Sequence, residues 1–126
     1  MKTIFLAEGE KHVREALRLL FEHQSDFEVM GEASSGESTL ANVCINPPDV
    51  LLLDWHLPGL YPQRMISALR ECSPKMLILA TSVQPEQEKT SHQFEVDGFL
   101  LKQLPPDQYL AYLKAVIERS NQEKTA

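Results

Sequence analysis

Residues 48–59 read PDVLLLDWHLPG, and this stretch decides the fold. The four apolar residues Val50 to Leu53 follow a turn signal, NPPD at 46–49. An uninterrupted apolar run of this length is typical of a central parallel strand that is buried on both faces. Asp54 comes directly after the run, and the Leu-Pro-Gly beyond it predicts a turn. The segment therefore predicts a buried strand that ends in an aspartate.

An alternation of strands and helices extends from this segment in both directions. Short apolar runs predict further strands at 3–7 (TIFLA), 27–31 (FEVMG, with the alternation of an edge strand), 76–80 (MLILA) and 99–101 (FLL). Apolar residues at helical spacing predict helices from residue 13, over 36–45, from 62 and from 106. Residues 84–93 (QPEQEKTSHQ) have no apolar stripe, so a helix there is expected to be short or mobile. The pattern predicts an α/β fold, a parallel sheet with helices on both faces.

Length, charge and cysteine content restrict the kind of protein. The 126 residues fit one domain, expected over 1–120, with 121–126 as a frayed tail or the start of a linker. The net charge of −6, without a basic stripe, predicts that the domain itself binds neither nucleic acid nor an anionic membrane. The apolar N-terminus is interpreted as a strand and not a signal peptide. Cys44 and Cys72 lack a metal-site spacing and are predicted to be free thiols in a cytoplasmic protein.

Chemically active side chains follow the predicted strands. Glu8, Gly9 and Glu10 follow the first strand; Asp54, Trp55 and His56 the third; Thr81 and Ser82 the fourth; Lys102 the fifth. Because ligand sites of open parallel sheets lie beyond the carboxyl ends of the strands, these residues are expected to converge. Carboxylates suit a hard cation such as Mg²⁺, and a lysine and a hydroxyl suit phosphoryl oxygens. An aspartate among them can act as a nucleophile and form an acyl phosphate.

Four strings in this order and spacing, LAEGEKHVREAL, PDVLLLDWHLPG, LILATS and DGFLLK, resemble the receiver domain of two-component response regulators. The resemblance covers about residues 2–119 and is greatest to the subfamily whose output is a helix-turn-helix DNA-binding domain in transcription regulation. It implies the flavodoxin-like receiver fold, a five-stranded parallel sheet in the order 2-1-3-4-5. It also implies a phosphoprotein that takes its phosphoryl group from a sensor histidine kinase, and a signalling module that is not itself an enzyme.

The resemblance assigns a role to individual residues. Asp54 would accept the phosphoryl group, Thr81 would hydrogen-bond its oxygens, and Lys102 would pair with them. Mg²⁺ would be held by Asp54, the backbone carbonyl of His56 and Glu8, with Glu10 as a further ligand. Thr81 and Phe99 would form the switch. The face made by the fourth helix, fifth strand and fifth helix would then exchange partners, and homodimerisation through this face is a hypothesis.

Departures from the family pattern leave alternatives open. The first strand normally ends in two adjacent acids, of which the second ligates the metal; here Gly9 holds that place, so Mg²⁺ binding is expected to be weak. Gln103 follows Lys102 where the family has proline or a small polar residue. One alternative is therefore a degenerate receiver that acts as an interaction module without phosphorylation. A flavodoxin-like cofactor carrier is less consistent, because acids flank Gly9 where a nucleotide phosphate would bind. Trp55 is expected to be a partly exposed reporter of the site.

Overall fold

A computed structural model describes residues 1–59 and 61–125, with side chains up to residue 123. Within these residues the strands are β1 (Lys2–Ala7), β2 (Phe27–Ala33), β3 (Val50–Asp54), β4 (Leu77–Ser82) and β5 (Gly98–Leu101). The helices are α1 (Lys11–Glu22), α2 (Gly36–Ile45), α3 (Pro62–Cys72), α4 (Gln87–Ser91) and α5 (Pro106–Thr125). The predicted order of elements is confirmed, and the bounds differ from the predicted ones by a few residues at strand and helix ends.

The strands form one parallel sheet in the order β2-β1-β3-β4-β5, as the resemblance implied. Strand β2 lies at an edge, and β3 lies at the centre with all of its residues buried. In the register of the sheet, Leu53 pairs with Ala7 and Asp54 pairs with Thr81. The carboxyl ends of β1, β3 and β4 therefore lie side by side, and the residues that follow these strands meet at one edge.

A hydrophobic core lies on each face of the sheet. One face packs against α2 and α3 through side chains that include Val43, Ile66 and Leu69. The other packs against α1 and α5 through side chains that include Phe21 and Leu113. Successive residues of β3 alternate between the two cores, which is why this strand needs an apolar residue at every position. Among the described helices, none is long and apolar enough to cross a membrane.

Helix α4 is the short element that the polar sequence predicted. It has five residues, of which only Ser91 is buried. The segment is anchored by Phe94, which follows the helix in the sequence and packs its ring against Trp55 with the ring centroids 5.6 Å apart. Trp55 itself is only 7% exposed, so the expectation of a partly exposed tryptophan is wrong. The tryptophan follows the end of β3 directly and completes the core under α4.

The prediction that Cys44 and Cys72 are free thiols is also wrong. Their sulfur atoms form a disulfide, and their Cα atoms lie 5.4 Å apart. The bond joins the C-terminal ends of α2 and α3, which the two crossovers place side by side on one face of the sheet. A separation of 28 residues gives no local signal of this proximity. Helix α5 extends to Thr125, and residue 126 lies outside the described residues. The expectation that 121–126 form a frayed tail or the start of a linker stays a prediction.

Candidate functional site

Asp54 is the last residue of the central strand, and its carboxylate is almost fully buried. Oδ1 accepts a hydrogen bond from the backbone N–H of His56 (3.0 Å) and lies 3.1 Å from Nζ of Lys102. Oδ2 accepts from the backbone N–H of Gly9 (3.2 Å). The tight turn after β3 supplies the first of these donors, and the turn after β1 supplies the last. Both carboxylate oxygens are thus oriented by the ends of neighbouring strands.

Lys102 connects this carboxylate to a second one. Its Nζ lies 2.7 Å from Oε1 of Glu8 and 3.1 Å from Oδ1 of Asp54. Side-chain exposure is 16% for Lys102, 3% for Glu8 and 6% for Asp54, so the bridge is largely shielded from water. Oε2 of Glu8 accepts from the backbone N–H of Glu10 (3.0 Å). Two buried carboxylates therefore share one ammonium group, which leaves the cluster with one net negative charge.

The two carboxylates respond differently to this environment. Burial alone would raise the pKa of Asp54. This is outweighed by the hydrogen bond from the N–H of His56, the hydrogen bond and charge of Lys102, and the hydrogen bond from the N–H of Gly9, so the pKa lies below its ordinary value. Burial raises the pKa of Glu8, and the hydrogen bonds of Lys102 and Glu10 offset this only in part; the charge of Asp54 raises it further. Asp54 is therefore ionised at neutral pH, as a nucleophile must be.

The end of β4 brings hydroxyl groups to the same edge. Thr81 lies beside Asp54 in the sheet and is buried, and its carbonyl accepts from the backbone N–H of Trp55 (2.8 Å). Oγ of Ser82 lies 3.1 Å from Nε2 of His56 and accepts from the backbone N–H of Gln84 (3.0 Å). Ser82 thus ties the loop after β3 to the loop after β4, a role that the sequence did not predict.

Replacing Ser82 with alanine is expected to cost about 1 kcal/mol of stability, the usual net value of such a hydrogen bond, because the N–H of Gln84 loses its acceptor. The His56 ring should also lose its preferred orientation, which would broaden its NMR signals. Chemical denaturation and NMR of the imidazole check this. Gln84→Ala is the control, since it keeps the backbone N–H. A Ser82→Ala variant as stable as the parent would contradict the assignment.

A second contact joins the loops after β4 and β5. Nε2 of Gln103 donates to the carbonyl of Val83 at 2.9 Å. Gln103 is the residue that departs from the family pattern after Lys102, and its side chain holds its own loop to the neighbouring one. On the edge strand β5, Phe99 is buried at 5% exposure, and its backbone N–H donates to the hydroxyl of Tyr112 (3.2 Å).

The residues predicted to hold a metal are only partly assembled. Glu8 and Asp54 meet at Lys102, whereas Glu10 is exposed and contributes its backbone N–H. Among the described residues, no group of three His, Cys, Asp or Glu side chains could hold a metal ion. Gly9 shows why: a Cβ atom there would lie 3.5 Å from Oδ2 of Asp54, so an acid at this position would complete the cluster. The oxygen donors present are of the kind that Mg²⁺ prefers, but only two of the side chains that meet here are carboxylates.

Sequence reasoning missed residues that act through the backbone or through buried contacts. Arg14 donates to the carbonyls of Glu8 (2.8 Å) and Gly9 (3.3 Å) and so fixes the turn after β1. Its position within the string LAEGEKHVREAL was visible, but no periodicity distinguishes it from Arg18, the other arginine of α1. Tyr109 is 4% exposed, and its burial, with a smaller contribution from the charge of Glu8, raises its pKa. Tyr109 is therefore a core residue under the site.

Comparison with known proteins agrees with this geometry. The family model for the response regulator receiver domain matches residues 4–114. The transcriptional regulatory protein DesR of Bacillus subtilis (strain 168) is 28% identical over 117 residues, which cover 93% of this chain and 59% of DesR. The nitrate/nitrite response regulator protein NarL of Escherichia coli (strain K12) is 31% identical over 113 residues, which cover 88% of this chain and 52% of NarL. The chain spans about half the length of these curated relatives.

Solved structures agree as well. The receiver domain of AraT, a response regulator from Geobacillus stearothermophilus, is 25% identical with a TM-score of 0.79, and the match covers 98% of each chain. A two-component response regulator of the LuxR family from Aurantimonas sp. SI85-9A1 has a TM-score of 0.82 at 18% identity, covering 100% of this chain and 99% of that one. The first match has the same fold and a related sequence; the second shows the fold alone. The chain belongs to the family of response regulator receiver domains.

Proposed function

We propose that this receiver domain accepts a phosphoryl group on Asp54 from the phosphohistidine of a sensor histidine kinase, and that phosphorylation changes its interaction partner. The observation that carries the proposal is the state of Asp54. It is buried at the carboxyl end of the central strand, its pKa is lowered, and it is paired with Lys102 beside Thr81. An ionised aspartate with a cation and a hydroxyl close by has what a phosphoacceptor needs.

The chain's own residues contribute to transfer by position and charge. A carboxylate oxygen of Asp54 attacks phosphorus; the O–P bond forms while the P–N bond to the donor imidazole breaks, and the imidazole leaves with its electron pair and takes up a proton. Lys102, already beside Asp54, then pairs with phosphoryl oxygens, and the hydroxyl of Thr81 donates to another. In this reaction the domain is a substrate and a switch, without enzymatic turnover of its own.

Magnesium, which receiver domains in general bind at the phosphorylation site, would here be held by Glu8, Asp54 and the backbone carbonyl of His56. When bound, it would screen the charge between the carboxylates and the incoming phosphoryl group. Weak binding is expected because Gly9 contributes no carboxylate and because all four oxygens of Glu8 and Asp54 already have a donor within the chain. Lys102, which now pairs with both carboxylates, would have to give up part of this pairing for Mg²⁺ to bind.

The switch would run from Thr81 to the face formed by α4, β5 and α5. Thr81 and Phe99 lie on the neighbouring strands β4 and β5. The bond from the N–H of Phe99 to the hydroxyl of Tyr112 links β5 to α5, so a shift of this strand would be felt by the helix. Helix α4 is short and has few buried residues, which favours its rearrangement at low cost. The same proposal includes homodimerisation through this face, a cytoplasmic location, and a DNA-binding output domain in the whole protein.

The test is to incubate the domain with acetyl phosphate, with and without Mg²⁺, and to measure its intact mass. We expect a single phosphoryl adduct that requires Asp54, increases with Mg²⁺, and is absent from Asp54→Asn, which has almost the same shape. Cleavage of the adduct by hydroxylamine identifies an acyl phosphate, because the phosphoesters of serine and threonine are stable to it. If the domain stays unmodified at saturating donor and Mg²⁺ while it is folded, the proposal fails. The degenerate receiver then becomes the better interpretation.

A further inference from the structure

We propose that Cys44 and Cys72 form a reversible thiol–disulfide modification site that locks α2 to α3. This inference rests on the proposed function in one respect, the cytoplasmic location of the protein. Disulfides in cytoplasmic proteins are usually transient and sense redox conditions. These are the two cysteines of the sequence, and they are joined in the structure at the C-terminal ends of the two helices. The acceptor Asp54 lies at the other end of the sheet, so the site is separate from the phosphorylation chemistry.

Cys44 and Cys72 are both half-buried residues in the last turns of their helices, and neither belongs to the buried hydrophobic core. Next to Cys44, Ile45 is 86% exposed at the end of α2. A disulfide at such a position is open to exchange, in contrast to one that is enclosed in a core.

The two helices remain neighbours without the bond. Val43 of α2 and Leu69 of α3 are fully buried in the same hydrophobic core, one residue before Cys44 and three residues before Cys72. Their packing does not depend on the sulfur atoms, so it keeps the reduced thiols within reach of each other. Nearby thiols have a high effective concentration, and the bond can form again rapidly. Reversibility follows from this arrangement, because reduction does not separate the reacting groups.

The lock has a structural consequence because only part of α2 is buried in the core. Of its ten residues, Gly36, Thr39 and Val43 are buried. Between α2 and α3 lies an open groove of about 470 Å³, with Leu40 and Met65 among its lining residues. The disulfide closes one end of the helix pair. At the other end, the N–H of Gly36 donates to the carbonyl of Pro58 (2.8 Å), in the loop that follows Asp54.

The electron acceptor for the formation of the bond is a low-molecular-weight disulfide, the oxidised form of a small thiol. One cysteine thiolate attacks a sulfur of the small disulfide, which breaks that S–S bond and releases one small thiol. The second cysteine thiolate attacks the protein sulfur of the mixed disulfide and releases the second small thiol. Two electrons pass from the cysteine pair to the small disulfide, and the two cysteine protons end on the released thiols.

The test is a redox titration of the purified domain in reduced and oxidised glutathione, with the free thiols alkylated and counted by intact mass. We expect interconversion between a disulfide and a dithiol form at ratios that match the cytosolic glutathione poise. Cys72→Ser and Cys44→Ser should instead accumulate a mixed disulfide with glutathione. A bond that persists throughout the titration, a bond that never forms, or predominant crosslinking between molecules would each overturn the proposal.

A second readout tests the lock itself. Reduction should lower the unfolding midpoint by about 10 °C, because the bond closes a chain segment of 28 residues. Hydrogen exchange should become faster in α2 by a larger factor than the general loss of stability produces in α1 and α5. Equal exchange of α2 in both redox forms would exclude a lock. Asp54→Asn should give the same titration as the parent, so a failed phosphorylation test leaves this result unaffected.

Discussion

Replacing Lys102 with methionine is expected to destabilise the domain by about 3 kcal/mol at neutral pH, because it leaves two buried carboxylates without their shared cation. Methionine matches the lysine stem in volume, so the loss is one of charge and hydrogen bonding and not of packing. Urea denaturation of both proteins measures it. The same variant should lose most of its capacity for stable phosphorylation, since the group proposed to pair with phosphoryl oxygens is absent.

The pH dependence of this variant identifies the cause. Glu8 already has a raised pKa in the folded state through burial, and the loss of Lys102 removes two of the effects that lower it. A group whose pKa is raised in the folded state takes up its proton at a higher pH in the native state than in the unfolded state. Its stabilising contribution is complete below the unfolded pKa and is lost as the pH rises through the folded pKa. The deficit of Lys102→Met should therefore shrink as the pH is lowered from neutral towards the unfolded pKa of glutamate.

A matched double variant separates charge from other effects. Glu8→Gln keeps the shape of the side chain and an oxygen that can accept from the N–H of Glu10, but it needs no counter-ion. Introduced into Lys102→Met, it should recover a large part of the lost stability, because one buried charge is removed. Glu8→Gln alone gives the cost of this substitution in free energy of unfolding. If the same cost is added when it is introduced into Lys102→Met, the two effects are additive and there is no electrostatic coupling between Glu8 and Lys102.

The α/β pattern and the meeting of polar residues at one edge of the sheet were predictable because their signals are local. The run Val50 to Leu53 has the pattern of a doubly buried strand, and polar residues directly after such strands must meet at one edge of a parallel sheet. The short α4 and the meeting of Glu8, Asp54 and Lys102 follow from this logic and agree with the structure. The strand order was implied by the resemblance to receiver domains, and the structure confirms it. Periodicity and strand ends thus carry information about position even without side-chain detail.

What the sequence did not predict depends on contacts between distant segments. The disulfide needs the ends of α2 and α3 to be adjacent, and Cys44 and Cys72 have no spacing motif that indicates this. The burial of Trp55 depends on the ring of Phe94, which lies in a segment with little apolar pattern. The hydroxyl of Ser82 acts through a backbone N–H in its own loop and through a ring from another loop. Each of these is tertiary information that composition and periodicity do not contain.

Gly9 has the most direct consequence for the metal. Replacing it with aspartate is expected to increase Mg²⁺ affinity on the order of a hundredfold, because a third carboxylate then faces the divalent ion beside Asp54. A Cβ atom at position 9 would lie 3.5 Å from Oδ2 of Asp54, on the side of the cluster that now lacks a negative charge. Calorimetric titration with Mg²⁺ measures the affinity, and the fluorescence of Trp55, next to Asp54, gives an independent readout.

The steric cost of this change needs its own control, since the same Cβ atom would lie 3.1 Å from Cδ of Pro58. Gly9→Asn imposes the same contact without the charge, so the difference between the two variants isolates the carboxylate. Without metal, Gly9→Asp should be less stable than Gly9→Asn, because its carboxylate is repelled by Asp54; Mg²⁺ should reverse this order, since a ligand that binds only the folded state stabilises it. If the parent domain binds Mg²⁺ as tightly as Gly9→Asp, then Glu8 already provides the missing ligand, and the weak metal site proposed for this receiver is wrong.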